Sequence, residues 1–417
     1  ESNMSTSLLY HAFGIRGYLY EKTTYEGGQV IFTMSQERGD LRCAFCGSQR
    51  VVRRGSQVRR FRSLPIGSRP VQIVLEVARV GCADCEKVRQ VPIDFAHERR
   101  GYTQAFERYV LELSQRMTIR DVAEHLGVGW DLVKDIQHRY LSRKFRRIKL
   151  KHLRQIAIDE IAIGRGHRYL TVVLDLESGA VVFVGDGKGA DALKPFWKRL
   201  KCSRAKIEAV AIDMSPAYIS AVQTNLRQAV LVFDHFHIHK LFNDQLSNLR
   251  RKLYQEATEQ LHKEVLKGTR WLLLKNPENL DPTRDEAKRL HEALTLNQPL
   301  ATAYYMKEDL RRVWEQPNHA AAQRVLDDWI RRAESSGIQM LIRFAHTLAA
   351  HRSGILNYYR YPLSTGPLEG TNTKIRVLQR KAYGFRDTEF FKLKIYGLHE
   401  TRYELIGGAT GKYAKTG

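Results

Sequence analysis

The pattern of apolar residues predicts a multidomain α+β protein, and three observations carry that expectation. Short alternating runs punctuated by Gly, Pro and Ser fill the first hundred residues. From residue 155 onward, apolar strand-like runs are separated first by glycine turns and then by helical stretches. A helical pattern then occupies residues 238–362, too long for a loop and therefore an insertion. At 417 residues the chain exceeds one ordinary core, and roughly two to four domains are expected.

Composition narrows the class of partner. A formal charge of +23 accompanies 43% hydrophobic and 10% aromatic residues, so the chain is a folded basic protein rather than a disordered polycation. Nucleic acid is the expected acidic partner, because each Lys or Arg set on a phosphate releases condensed counterions. The bland alternative is a basic surface that only confers solubility. No apolar run reaches the roughly 18 residues of a membrane span, and the N-terminus has no signal-peptide pattern, so a cytoplasmic location is expected. Residues 1–3 precede Met4 and are read as an expression remnant.

The first module, residues 4–100, contains strand-like runs at 29–33 and 71–77 and two Cys-x-x-Cys pairs, Cys43/Cys46 and Cys82/Cys85. Each pair forms a knuckle whose two thiolates face one point, and two knuckles complete a tetrahedral site for one structural Zn²⁺ in a zinc-ribbon-like module. A redox pair lacks its βαβ context here. Cys202 stands alone on an expected helix and is read as a packed small hydrophobe. Between the knuckles, Arg53, Arg54, Arg59, Arg60 and Arg62 are expected on a hairpin, on phosphates or simply in a solvated turn.

Residues 101–150 read as a helix-turn-helix and a basic linker. Thr118 caps a helix carrying Val122, Ala123 and Leu126 on one face, Gly127 supplies a left-handed turn, and the second helix packs through Val133 and Ile136. Arg120, Trp130 and Lys134 are the candidate DNA contacts, although two short helices joined by Gly also occur in domains that never meet DNA. Arg143, Lys144, Arg146 and Arg147 form the linker that could follow a DNA backbone.

Residues 151–240 hold strands at 156–159, 169–175 and 181–184, a helix at 190–200, then strands at 209–213 and 229–234. Three antiparallel strands followed by two reached through helical crossovers give a mixed sheet in the ribonuclease-H-like order. The insertion follows at 241–362, and residues 363–417 return to the same domain through Gly366-Pro367-Leu368-Glu369, a helix start with Pro in its first turn.

Asp159 and Asp213 each close an apolar strand, where a carboxylate without a partner is costly. In a ribonuclease-H-like sheet the first and fourth strands are neighbours, so the two acids would lie side by side, their repulsion relieved by Mg²⁺ or Mn²⁺. A third acid, Glu369, completes a site for two cations about 4 Å apart. Asp234 also ends a strand and competes with Asp213 for the second position. His237 and His239 follow it and could approach the cations, although a histidine after a buried strand more often completes a hydrogen-bond network.

These residues carry a resemblance. Asp159-Glu160 with Gly166-His167-Arg168-Tyr169, Asp213-Met214-Ser215-Pro216-Ala217-Tyr218, Asp234-His235-Phe236-His237, and Gly366 to Asn372 with Arg380-Lys381-Ala382-Tyr383-Gly384-Phe385-Arg386 are similar to the bacterial insertion-sequence transposases of the ISL-three type. The resemblance implies a DDE transposase whose triad is Asp159, Asp213 and Glu369. It also implies a partner of double-stranded DNA, both terminal inverted repeats and target, and at least a homodimer on DNA because an element has two ends. Asn372, Lys374, Arg376, Arg380, Lys381 and Arg386 are expected to meet the DNA beside the triad, and Trp271, Trp314 and Trp329 to be packed in the insertion. The rivals are a metal-dependent nuclease that cuts without joining and a catalytically silent DNA-binding regulator.

Overall fold

The computed structural model describes residues 2–36, 41–164, 166–257, 266–267 and 269–398. They belong to two compact units, Glu1–Arg146 and Arg147–Glu400.

The first unit opens with a helix, α1 (Ser2–Phe13), whose Leu9 and Phe13 are buried against a sheet. The sheet contains β1 (Tyr18–Glu26), β2 (Gln29–Gln36), β3 (Val51–Ile66), β4 (Arg69–Cys82) and the short β5 (Val88–Gln90), in the order β1-β2-β4-β3 with β5 on β4. Two findings correct the sequence reading. An N-terminal helix precedes the strands, and β3 and β4 are long, 16 and 14 residues. Only the second half of β3 packs on the core, through Phe61 and Ser63, and its first half is exposed, which hid a long strand behind polar residues.

Three helices follow, α2 (Gln104–Leu113), α3 (Ile119–Leu126) and α4 (Trp130–Phe145). Thr118 and Asp121 exchange side-chain-to-backbone hydrogen bonds of 3.1 Å at the start of α3, a reciprocal cap. Gly127, at φ 60°, ends α3 in the left-handed conformation a side chain disfavours. Val122, Ala123, Leu126, Val133 and Ile136 then close a core of their own with Tyr102, Phe106 and Val110.

The second unit is built on β6 (Gln155–Gly164), β7 (Arg168–Asp175), β8 (Val181–Asp186), β9 (Ala209–Ile212) and β10 (Val230–Phe233), in the order β10-β9-β6-β7-β8. The first three strands are antiparallel, whereas β9 runs parallel to both β6 and β10. Helices α5 (Lys194–Ser203) and α6 (Pro216–Asn225) supply the two crossovers. This is the mixed sheet that the strand order predicted.

Alternation along the strands sorts the two faces. Ile156, Ile158, Val210, Ile212 and Phe233 face α5, α6 and the insertion, while Ala157, Ile161, Ala209, Ala211 and Val232 face the C-terminal helices. The insertion starts on α7 (His235–Glu256) and continues through α8 (Glu286–Leu296), α9 (Gln298–Arg311), α10 (His319–Glu334), α11 (Gln339–Ala350) and α12 (Arg352–Leu356). Trp329 is fully buried between Phe242 and Phe344, and its Nε1 donates to the Met306 carbonyl at 2.8 Å. Two expectations fail here. Cys202 is exposed on the outer side of α5, and Trp271 is exposed with Arg270 over its ring rather than packed among leucines. The chain returns to the sheet through α13 (Gly366–Lys381) and α14 (Thr388–Tyr396), whose Leu368, Ile375, Phe391 and Ile395 cover its second face.

Candidate functional site

The acids follow from sheet register. Gln155, Ile156 and Ala157 of β6 pair with Ala209, Val210 and Ala211 of β9, so two residues further along each strand Asp159 stands level with Asp213. Alternation turns both toward the face that α13 covers, since Asp159 follows Ala157 and Asp213 follows Ala211 at a spacing of two. Burial pushes the Asp159 carboxyl up; the Glu160 N–H and the charge of His237 pull it down, while Asp213 and Glu160 add to the rise. A carboxylate so placed favours a cation in front of it. Asp213 is steadied by the Ser215 N–H, which donates to its Oδ1 at 3.0 Å.

Helix α13 brings the third acid. Glu369 is exposed in its first turn, and Asn372, three residues on and so on the same side of the helix, is buried with 4% of its surface exposed. The Asn372 Nδ2 donates to Asp159 Oδ2 at 2.8 Å. Asn372 therefore ties the Glu369 helix to Asp159. Its Oδ1 is buried and has no hydrogen-bond partner among the described residues, an orphaned acceptor of the sort a cation's hydration shell satisfies. The donors are all hard oxygens, as Mg²⁺ or Mn²⁺ requires.

Asp234 occupies the corresponding end of β10, yet its carboxyl is committed elsewhere. Its side chain is buried, with 1% exposed; Oδ1 accepts from the Phe236 N–H at 3.3 Å, capping α7, and Oδ2 accepts from the Thr365 hydroxyl just before α13. Asp213, by contrast, is only half-buried and accepts from the Ser215 N–H. His239 is half-buried beside Trp314, and desolvation, with the charges of His235, Arg311 and Lys307, pushes its imidazole down to about 4. His167, at φ 59°, makes the turn into β7, and Arg168 reaches Thr388 at 3.5 Å.

The cysteines close a second centre. Cys43 lies 3.6 Å from Cys85 and Cys46 3.5 Å from Cys82, sulfur to sulfur, and all four sulfurs lie within 4.8 Å of one another. Four thiolates on one Zn²⁺ at about 2.3 Å would stand about 3.8 Å apart, so the set fits that ion. Among the described residues it is the one group of three or more such ligands this tightly gathered. Backbone N–H groups of Cys46 and Phe45 draw the Cys43 thiol down to about 6, toward the ligating thiolate.

The expected DNA contacts divide. Arg53 pairs with Glu76 at 2.8 Å, Arg59 donates to the Arg100 carbonyl at 2.9 Å, and Arg62 donates to the Leu126 carbonyl at 2.6 Å, closing the end of α3. Each of these three has a partner within the fold, whereas Arg54 and Arg60 are exposed with no ion pair among the described residues. Arg120 is exposed in an ion pair with Glu124 at 2.7 Å. Trp130 is 47% exposed at the start of α4, with Lys134 one turn on at 5.5 Å from its ring. Arg143, Lys144, Arg146 and Arg147 are exposed at and after the end of α4, as are Lys374, Arg376, Arg380, Lys381 and Arg386 on and after α13.

Paired aspartates on adjacent parallel strands, a third acid on a helix locked to them, a helix-turn-helix and a four-cysteine zinc site together define a ribonuclease-H-like DNA-processing enzyme of the DDE class. Comparison with known proteins gives the family. The model of the ISL3 DDE transposase domain, described as "Transposase", matches residues 156–395, that of the "Helix-turn-helix domain of transposase family ISL3" residues 91–141, and that of the "zinc-finger of transposase IS204/IS1001/IS1096/IS1165" residues 41–85. The transposase for insertion sequence element IS1001 of Bordetella parapertussis is 34% identical over 388 residues, 92% of this chain and 95% of that one. The transposase for IS1557 of Mycobacterium tuberculosis is 31% identical over 390 residues, 87% of each. The Drosophila P element transposase strand transfer complex overlaps 61% of this chain and 78% of that one at 10% identity, with a TM-score of 0.34, too low to bear on the fold. The chain belongs to the ISL3 family of insertion-sequence transposases.

Proposed function

We propose that the protein binds the terminal inverted repeats of its element, cleaves at the element ends and transfers the exposed 3′-hydroxyls into target DNA. Asp159, Asp213 and Glu369 would hold two Mg²⁺ or Mn²⁺, which would supply activation of the attacking hydroxyl and stabilisation of the departing oxygen. The chain's part is alignment: the sheet fixes Asp159 and Asp213 level with each other, and Asn372 fixes the Glu369 helix against them. That pairing across 213 residues of sequence is the observation that carries the reading.

The first helical turn of α4 enters a major groove with Trp130 and Lys134, while Arg54, Arg60, Arg120 and the 143–147 cations follow the backbone. The finer division into zinc module (4–100), helix-turn-helix and linker (101–150), catalytic parts (151–240 and 363–417) and insertion (241–362) belongs to the same reading. So do an assembly of at least two copies on paired ends and a place beside DNA in the bacterial cytoplasm. The test is a plasmid carrying paired element ends, incubated with the full chain and Mg²⁺ or Mn²⁺. Joined products support transposition; nicking without joining supports a nuclease, and binding without cleavage supports a regulator.

A further inference from the structure

Helix α13 continues well past the acids, and its far end is unusual. Tyr383 is 100% exposed, and its backbone stands at φ 52°. The Gly384 N–H donates to the Gln379 carbonyl at 2.8 Å, so the helix closes in the manner that normally places glycine where Tyr383 sits. A bulky aromatic side chain is thus kept in a left-handed position that disfavours it, and it packs on nothing. Strain of that kind, with the ring held in solvent, points to a surface that meets a ligand.

The helix also relates Tyr383 to the chemistry. Glu369, Thr373, Arg376 and Arg380 recur at spacings of four and three, so they lie along one exposed stripe, and Tyr383 follows just past the helix end. At 1.5 Å per residue the stripe carries Tyr383 about 20 Å from Glu369. Duplex DNA rises about 3.4 Å per base pair along its axis, so a duplex lying along α13 advances about six base pairs over that distance. Arg376 and Arg380 stand between, where phosphates of a strand laid along the helix would fall.

We infer that α13 is a ruler for one DNA strand: Glu369 marks the scissile phosphate, and Tyr383 stacks on an unpaired or displaced base about six nucleotides away. Stacking suits a tyrosine because every base has an apolar face, so the contact sets position without reading sequence. The inference rests on the transposase reading above and adds a second point of contact to it.

The test uses the full zinc-loaded chain with element-end duplexes carrying 2-aminopurine at single positions, four to eight nucleotides to either side of the scissile phosphate. Binding without added Mg²⁺ should change the fluorescence at one position near the sixth nucleotide and not at the others. Tyr383→Ala should abolish that change and weaken binding roughly 5- to 150-fold, and Tyr383→Phe should restore both. Tyr383→Gly suits the backbone at this position, so its thermal stability should match the parent while its binding falls with Tyr383→Ala. If the parent chain binds and cuts but Tyr383→Ala does so equally, with the same fluorescence, the inference is overturned. It is also overturned if Tyr383→Ala instead changes the number of copies in the DNA-free protein by sedimentation, which would assign the ring to a contact between chains. If the parent neither binds nor cuts element ends, the transposase reading itself fails.

Discussion

Asp213 and Asp234 end neighbouring parallel strands, and replacing each by asparagine should separate chemistry from architecture. At Asp213, Asn retains an acceptor for the Ser215 N–H, now at 3.0 Å, and removes a like charge from beside Asp159, so stability should hold. Cleavage should fall at least roughly 100-fold, because a lost cation ligand forfeits several kcal/mol of transition-state stabilisation. Asp234→Asn should do the reverse. Asn caps a helix as well as Asp does, and the Thr365 hydroxyl can turn to accept from the new amide, so the change should cost about 1 kcal/mol or less. Asp234→Ala is the harsher probe. It removes the α7 cap, about 1 kcal/mol, and strands a Thr365 hydroxyl whose residue is only 3% exposed, about 1–3 kcal/mol. The total, about 2–4 kcal/mol, corresponds to a fall in Tm of roughly 4–16 °C for a unit of this size. The assay is cutting of a labelled element-end duplex with Mg²⁺, alongside a thermal melt and a binding titration. Cutting by Asp213→Asn, together with a stable but inactive Asp234→Asn, would refute the assignment.

Three further outcomes are expected. Asn372→Ala should reduce cleavage about 10- to 100-fold, as loss of an outer-shell partner does, with partial recovery at raised Mn²⁺; unchanged dependence of cutting on cation concentration would separate Asn372 from the site. The chain should carry one zinc by elemental analysis, and Cys82→Ser should lose it and lower the melting of the first unit while Asp213→Asn keeps it. His239 should make the second unit sensitive to acid. Its folded value of about 4 lies below the ordinary 6.5, so the unfolded chain takes up the proton first, and stability is lost as pH falls from 6.5 toward 4. The slope should reach about 1.4 kcal/mol per pH unit, and His239→Gln should flatten it in melts across that window; identical slopes would sink the idea.

The architecture was legible where periodicity and punctuation agree. Thr118, Gly127 and the apolar positions between them each point to the same pair of helices, and the structure uses all of them. The mixed sheet was legible because strands buried on both faces read as continuous apolar runs, from Ile156 to Ile158 and from Ala209 to Ile212. β3 was not, because its first half has no core to face and so has no apolar alternation to betray it. Cys202 and Trp271 misled for the opposite reason: residue type argued for burial, and only packing decides which side of a helix turns outward.

The candidate acids stand out in the sequence, and what aligns them does not. A carboxylate closing an apolar strand is conspicuous because it sits where burial would be costly, and sheet order alone makes Asp159 and Asp213 neighbours. Asp234 satisfies the same local rule, and nothing within its own segment distinguishes it. The difference lies in Thr365, 131 residues away, whose hydroxyl claims one of its oxygens. Asn372 presents the same problem from the other side, since a polar residue in a helix rich in cations reads as surface until its partner 213 residues earlier is known. Both contacts hold the start of α13, one at Thr365 before it and one at Asn372 within it, with Glu369 between them. The helix that carries Glu369, exposed and unremarkable by itself, is therefore held by two side-chain hydrogen bonds that only the closed fold creates. If so, weakening either bond should misplace Glu369 before it unfolds the sheet, because the strands that carry Asp159 and Asp213 keep their own ladder.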